Sequence, residues 1–211
     1  MKPLLFELNP TQKEAVEYTG GPSLIVAGPG SGKTRVLTGK IAYLIKEEKV
    51  APGKILAVTF TNKASEEMRE RVTRLLHHSP DLWIGTFHSI CAKILREDGE
   101  AIGIPPGFII YDESDQKDLI KNILKEAGIA GERFSPAAVR AAISAAKNEL
   151  VGPEEYASLA EGFFQETVSE IFPLYQAALK EGRALDFDDL LNETVHLFKA
   201  REPILEKWQE R

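Results

Sequence analysis

One cysteine, two tryptophans and two methionines in 211 residues exclude several classes of protein at once. A lone thiol, Cys91, cannot close an intramolecular disulfide, so a small core stapled by bridges is ruled out. No apolar run approaches the roughly 20 residues needed to cross a bilayer. The opening MKPLLFELNP has three consecutive apolar residues, too few for the core of a secretory signal, and the expectation is a cytoplasmic protein with no membrane partner. Repeats and low-complexity tracts are missing. His77 and His78 have no cysteine or carboxylate at ligand spacing, which argues against a metal site there. What the chain does have is 43% hydrophobic and 27% charged residues, enough apolar material for one large domain or two small ones.

The formal charge of −6 is unevenly placed. Residues 1–92 hold 12 basic against 9 acidic side chains, and residues 93–211 hold 14 against 23. A polyanion would therefore meet the front part, while the acidic surplus behind it reads as a solvated helical surface. Periodicity divides the chain at the same place. SLIVAG (23–28), KILAVTF (54–60) and LWIGTF (82–87) are apolar runs of strand length, and the segments between them read as helices. That alternation predicts a parallel sheet with crossover helices. Behind residue 92 the pattern is helical through ESDQKDLIKNILKEAG, SPAAVRAAISAAKNEL, EGFFQETVSEIFPLYQAALKEG and LDFDDLLNETVHLFKA. Ser114 and Ser135 are expected N-caps, the latter with Pro136 at the first helical position, and Gly128 and Gly182 are expected stops.

The segment AGPGSGKT, residues 27–34, follows the first apolar run. Gly28, Gly30 and Gly32 free the backbone to curl so that successive N–H groups point inward at a helix N-terminus, a nest for phosphate oxygens. In the pattern G-x-x-x-x-G-K-[ST], Lys33 reaches the β- and γ-phosphates and the Thr34 hydroxyl ligates Mg²⁺. Ala27 stands where the pattern has its first glycine. The expected ligand is a nucleoside triphosphate held by Ala27, Gly28, Pro29, Gly30, Ser31, Gly32, Lys33 and Thr34, with Lys33 and Thr34 as the catalytic pair.

Five blocks in order, LNPTQKEAV (8–16), AGPGSGKTRVL (27–37), TFTNKASEEMRERV (59–72), GTFHSICAKILR (85–96) and LDFDDLL (185–191), resemble the UvrD, Rep and PcrA group of superfamily 1 DNA helicases. The resemblance runs from residue 8 almost to the end. It implies an α/β fold of the P-loop NTPase (RecA-like) type, with an incomplete parallel sheet and an all-helical insert subdomain. The implied division is a first part of the ATP-binding motor domain at 1–92, a helical insert at 93–190 and a helical return toward the motor domain at 191–211. Gln12 falls in the block that reads adenine in this family; an amide both donates and accepts, as the adenine edge requires. Arg35 is a further candidate for the nucleotide. Thr59, Thr61 and Asn62 would hold a DNA phosphate and Phe60 would stack on a base. Thr86, His88 and Ser89 are further candidate DNA contacts, and Phe187 a strand-facing aromatic. By sequence pattern alone, Phe60 reads more readily as the buried end of an apolar strand, and only the resemblance favours stacking.

ATP hydrolysis also needs a Walker B carboxylate, a water-positioning group and usually an arginine finger. The look-alike FIIYDESDQ (108–116) ends in Asp112 and Glu113. The family places an Asp-Glu-x-Gln-Asp block beyond the Asp-Phe-Asp-Asp segment, where this sequence reaches Arg211. The expectation is therefore the N-terminal portion of an ATP-dependent 3′–5′ DNA helicase using ATP and Mg²⁺. Its partners would be single-stranded DNA, duplex junctions and the remainder of the helicase chain, and the portion alone would neither unwind DNA nor turn over ATP appreciably. Exposed sheet faces would favour its self-association. Two alternatives stay open: a complete small nucleotide kinase or ATPase using Asp112 or Glu113, and a non-catalytic interaction domain. The carboxylates Asp186, Asp188 and Asp189 read as the acidic first turn of a helix rather than as metal ligands.

Overall fold

The computed structural model describes residues 8–129 and 134–211; residues 1–7, which begin the stretch read for a secretory signal, lie outside them. The chain divides into two compact units, one running to Ile90 together with Arg211, the other Cys91–Glu210.

In the first unit, α1 (Pro10–Glu17) opens on a reciprocal capping box. The Asn9 side chain accepts from the Gln12 N–H, and the Gln12 side chain accepts from the Asn9 N–H. Helix α2 (Lys33–Lys46) packs closely on α1, since a Cβ added at Gly39 would lie 3.3 Å from Val16 Cγ2. Strand β1 (Leu56–Thr59), helix α3 (Asn62–Leu76) and strand β2 (Trp83–Thr86) form a β-α-β unit, and α4 (Phe87–Asp98) follows β2 with no intervening residue. The strands run parallel, with Leu56 opposite Trp83 and Thr59 opposite Thr86. Ile41 and Ala42 of α2, Ala57 and Ile84 of the strands, and Met68, Val72 and Leu76 of α3 make the core. Fully burying one such aliphatic side chain is worth about 1.5–3 kcal/mol.

The expected first strand, 23–28, is absent: those residues form no ladder, and Leu24 and Val26 are 89% and 88% exposed. A strand exists only by pairing, and among the described residues β1 and β2 pair with each other alone. The apolar run therefore stays unpaired, and the anticipated three strands reduce to two.

The second unit contains α5 (Glu113–Glu126), α6 (Pro136–Asn148), α7 (Pro153–Leu159), α8 (Phe163–Glu181), α9 (Phe187–Ala200) and α10 (Glu202–Glu210). It is not all helical. Strand β3 (Ile109–Ile110) pairs in parallel with β4 (Ala184–Leu185), too short a pair to show as periodicity. Ile120 and Ile123 of α5, Val139 and Ile143 of α6, and Val168, Ile171, Phe172, Tyr175 and Leu179 of α8 form its core. Pro173 lies inside α8; the helix tolerates the lost N–H because its apolar stripe is buried on both sides of the proline.

Ser135 caps α6 as expected, with Pro136 behind it. The cap of α5 is Asp112 rather than Ser114, because its carboxylate reaches the N–H groups of both Ser114 and Asp115 while Asp115 returns a bond to the Asp112 N–H. Gly128, at φ +68°, follows the end of α5 in the left-handed conformation that suits glycine. Gly182 ends α8 without it, and the left-handed residue there is Arg183.

Candidate functional site

Between Ala27 and Lys33 the backbone turns through two left-handed residues, Gly30 at φ +72° and Gly32 at φ +88°. At Gly32 a side chain would be strained by the left-handed backbone, and an added Cβ, 2.7 Å from Gln12 Nε2, would also displace the Gln12 amide from the loop. Ala27 is outside the positive-φ set, so its methyl group brings no strain to the position where the motif has glycine. Ser31 Oγ donates to the Gly28 carbonyl at 2.7 Å. Lys33 curls back over the loop, and its ammonium donates to the carbonyls of Ala27 and Gly28, both at 2.8 Å. The first turn of α2 carries no capping side chain and no acidic residue, so its N–H groups and dipole present a positive end to whatever lies before it. Thr34 and Arg35 sit exposed in that turn, and Pro29 is exposed at the loop tip.

Gln12 is tied to the loop. Its Nε2 donates to the Ser31 carbonyl at 2.8 Å while its Oε1 accepts from Asn9 N–H at 3.1 Å. One amide hydrogen and one lone pair remain for a base edge.

The second cluster lies where β1 and β2 end. The register that sets Thr59 against Thr86 brings the next residues, Phe60 and Phe87, out of neighbouring strands. Phe60 is 92% exposed, which removes the core reading of this ring. The hydroxyls around it divide into two kinds. Thr61 Oγ1 accepts from Ala64 N–H and Thr86 Oγ1 from Ser89 N–H, so each caps a helix and keeps its own hydrogen for an outside acceptor. Thr59 Oγ1 donates to the Thr61 carbonyl and Ser89 Oγ to the Thr86 carbonyl, so each has already placed its hydrogen. Asn62 is exposed at the first position of α3, and His88 is half-buried at the second position of α4. Gly85 permits the tight entry into α4, since a Cβ there would fall 2.3 Å from Ser89 Oγ.

Phe187 belongs to the second unit, where it is the first residue of α9 and 45% exposed. Behind it stands a buried ionic cluster. Lys147 Nζ donates to Asp186 Oδ2 at 2.6 Å and to Asp189 Oδ1 at 2.7 Å, and Tyr175 Oη donates to Asp186 Oδ2 at 2.9 Å. Asp186 caps α9, and Asp189 returns the bond of the capping box. These two carboxylates are thus helix-start and ion-pair groups. One ammonium cannot neutralise two buried carboxylates. Burial, opposed by Lys147 and reinforced by the charge of Asp186, pushes the Asp189 carboxyl up to about 6. Burial and then Asp186 push the Tyr175 phenol upward as well. Asp112 moves the opposite way: the N–H groups of Asp115 and Ser114 hold its carboxyl below the usual range. Its partner in the Walker B look-alike, Glu113, pairs with Arg140 at 2.8 Å and Lys117 at 3.2 Å.

The structure thus brings Gln12 to the phosphate loop and gathers Thr59, Phe60, Thr61, Asn62, Thr86, His88 and Ser89 at adjacent strand ends. Sequence reasoning missed Phe87, although GTFHS contains it, because only strand register shows that it neighbours Phe60. It also missed Lys147, whose partners lie 39 and 42 residues away.

A family model described as UvrD/REP helicase N-terminal domain matches residues 8–211. The chain is similar to the ATP-dependent DNA helicase PcrA of Bacillus subtilis strain 168, 50% identical over 209 residues, which are 99% of this chain and 28% of that protein. It is likewise similar to the proteins of the same name from Leuconostoc citreum, 46% identical over 206 residues, 97% of this chain and 28% of the relative, and from Staphylococcus aureus strain Mu50, 46% identical over 212 residues, 100% of this chain and 29% of the relative. The chain spans less than a third of the length of these curated relatives.

Proposed function

The chain belongs to the UvrD/REP helicase N-terminal domain family, and we propose that it supplies the ATP-binding loop and part of the single-strand track of an ATP-dependent 3′–5′ DNA helicase acting in the cytoplasm on DNA under repair. The observation that carries this reading is the curled loop at 27–33, with two left-handed glycines and Lys33 folded over it, leading into the uncapped N-terminus of α2.

In this reading the N–H groups of the loop and of the first turn of α2 receive the phosphate oxygens. Lys33 leaves the Ala27 and Gly28 carbonyls for the β- and γ-phosphates. Thr34 ligates Mg²⁺, which when bound neutralises charge developing on the phosphates. Ala27, Gly28, Pro29, Gly30, Ser31 and Gly32 form the cradle; Gln12 offers its remaining amide hydrogen and lone pair to adenine, and Arg35 reaches the nucleotide.

Thr61 and Thr86 have the hydrogens to donate to DNA phosphates, and Asn62 and His88 extend that polar line. Phe60 stacks on a base, which for such contacts is worth about 1–3 kcal/mol. Phe187 is a second base-facing ring. Thr59 and Ser89, proposed contacts by motif, act here through backbone turns. The sequence candidate for a Walker B carboxylate, Asp112, is engaged as a helix cap, so these 211 residues by themselves turn over ATP negligibly and depend on the remainder of a helicase chain.

Thermal unfolding with and without Mg·ATP tests this. The expected result is a melting temperature raised by ATP, as any ligand of the folded state must raise it, with the shift lost in Lys33→Ala and no steady phosphate release. No shift in the unsubstituted chain would favour a non-catalytic interaction domain. Sustained turnover lost on Asp112→Asn would establish a complete small P-loop enzyme instead.

A further inference from the structure

Phe60 lies in the two-residue link between β1 and α3 and is almost wholly exposed. A ring so placed has free rotamers, and ordering it against a nucleobase costs conformational entropy. Phe87 is differently held. Its backbone is the first residue of α4, directly continuous with β2. That junction is clamped by the Thr86–Ser89 hydrogen bonds and by the close approach of Ser89 to Gly85. The two rings stand 5.9 Å apart between centroids with their planes at 47°, within the range in which tilted aromatic pairs attract. Phe87 is itself 45% exposed, so the pair is an open surface feature and not a corner of the core.

We infer that Phe87 is a positioning residue for nucleobase stacking: its ring, carried on the clamped backbone of the β2–α4 junction, braces the exposed ring of Phe60 and holds one of its faces toward single-stranded DNA. The inference rests on the proposal that Phe60 stacks on a base, and it adds a residue that the motif reading leaves out. The chemistry is sequence-tolerant, because both rings offer π-faces and edges and no hydrogen-bonding group.

A double-mutant cycle on the full chain, read by fluorescence anisotropy of an oligo-dT strand, tests it. Phe60→Ala is expected to weaken binding. Phe87→Ala is expected to weaken it by about 2- to 12-fold, the value of one aromatic pair, and to add nothing in the Phe60→Ala background. Phe87→Tyr should restore binding and Phe87→Leu should restore it only in part. In protein without DNA, Phe87→Ala should average the Hα–Hβ coupling constants of Phe60 toward those of a ring that samples several χ1 rotamers, whereas removal of a Phe87 that does not hold that ring would leave them unchanged.

If Phe60→Ala weakens binding while Phe87→Ala leaves it unchanged, or if the two losses simply add, the brace is refuted and the stacking reading stands. If Phe60→Ala has no effect, the stacking reading itself is refuted. Loss of binding in Phe87→Leu together with a collapsed melting temperature would assign Phe87 to stability and also overturn the brace.

Discussion

Single hydroxyl groups carry much of the functional distinction in this chain, because a hydroxyl has one hydrogen and its present partner decides whether that hydrogen is free. Thr61 and Thr86 accept at the starts of α3 and α4, while Thr59 and Ser89 donate to carbonyls two and three residues away. A phosphate presents acceptors, so only the first pair suits it. Thr61→Val and Thr86→Val should each weaken oligo-dT binding by roughly 10- to 100-fold, the loss of a hydrogen bond to a charged group. Thr59→Val and Ser89→Ala should leave it near the unsubstituted value. Titrations normalised to the folded fraction check this, since Thr61→Val and Thr86→Val each also remove a helix cap worth about 0.5–2 kcal/mol. Equal losses in all four variants would show that the hydroxyls act only as local fasteners. The motif TFTN was legible as polar and small, but its letters do not show which hydrogens are already placed.

Three helices of the second unit meet at one buried charge cluster: Lys147 from α6, Tyr175 from α8, and Asp186 and Asp189 from the start of α9. Removing the ammonium by Lys147→Met strands two buried carboxylates and should cost about 3–5 kcal/mol. The cluster also predicts a pH dependence. The Asp189 carboxyl at about 6 lies above its ordinary value of 3.8, so between those values the folded chain holds a proton that the unfolded chain has released. Its stabilisation is complete below the lower value and is lost as pH rises through the upper one. Urea midpoints measured from pH 4 to pH 7 should fall along this window in the unsubstituted chain, and the Asp189→Asn variant should lack that component. Identical slopes in the two would refute the assignment. The acidic first turn of α9 was evident from LDFDDLL because carboxylates suit the positive end of a helix dipole, whereas Lys147 sits in SAAKNEL with nothing nearby to distinguish it from a solvated lysine.

For the whole chain, the unpaired run at 23–26 is the feature with the widest consequence. Leu24 and Val26 lie exposed, as does Leu56 on β1, and exposed apolar strand segments favour pairing with another chain. Light scattering should show a mass that grows with concentration, and Leu24→Lys with Val26→Lys should suppress the growth; a constant monomer mass at high concentration would sink the expectation. By itself the sequence determined what depends on neighbours along the chain: the curl of the loop at Gly30 and Gly32, the cap at Ser135, the helical periods and the motif order. Such features rest on contacts within about four residues, where spacing is geometry. Only the tertiary structure decided which apolar runs pair as strands, that Phe60 faces solvent beside Phe87, and that Lys147 pairs with a helix start some forty residues on. Pairing and burial are properties of surfaces brought together from distant parts of the chain, and no local rule contains them.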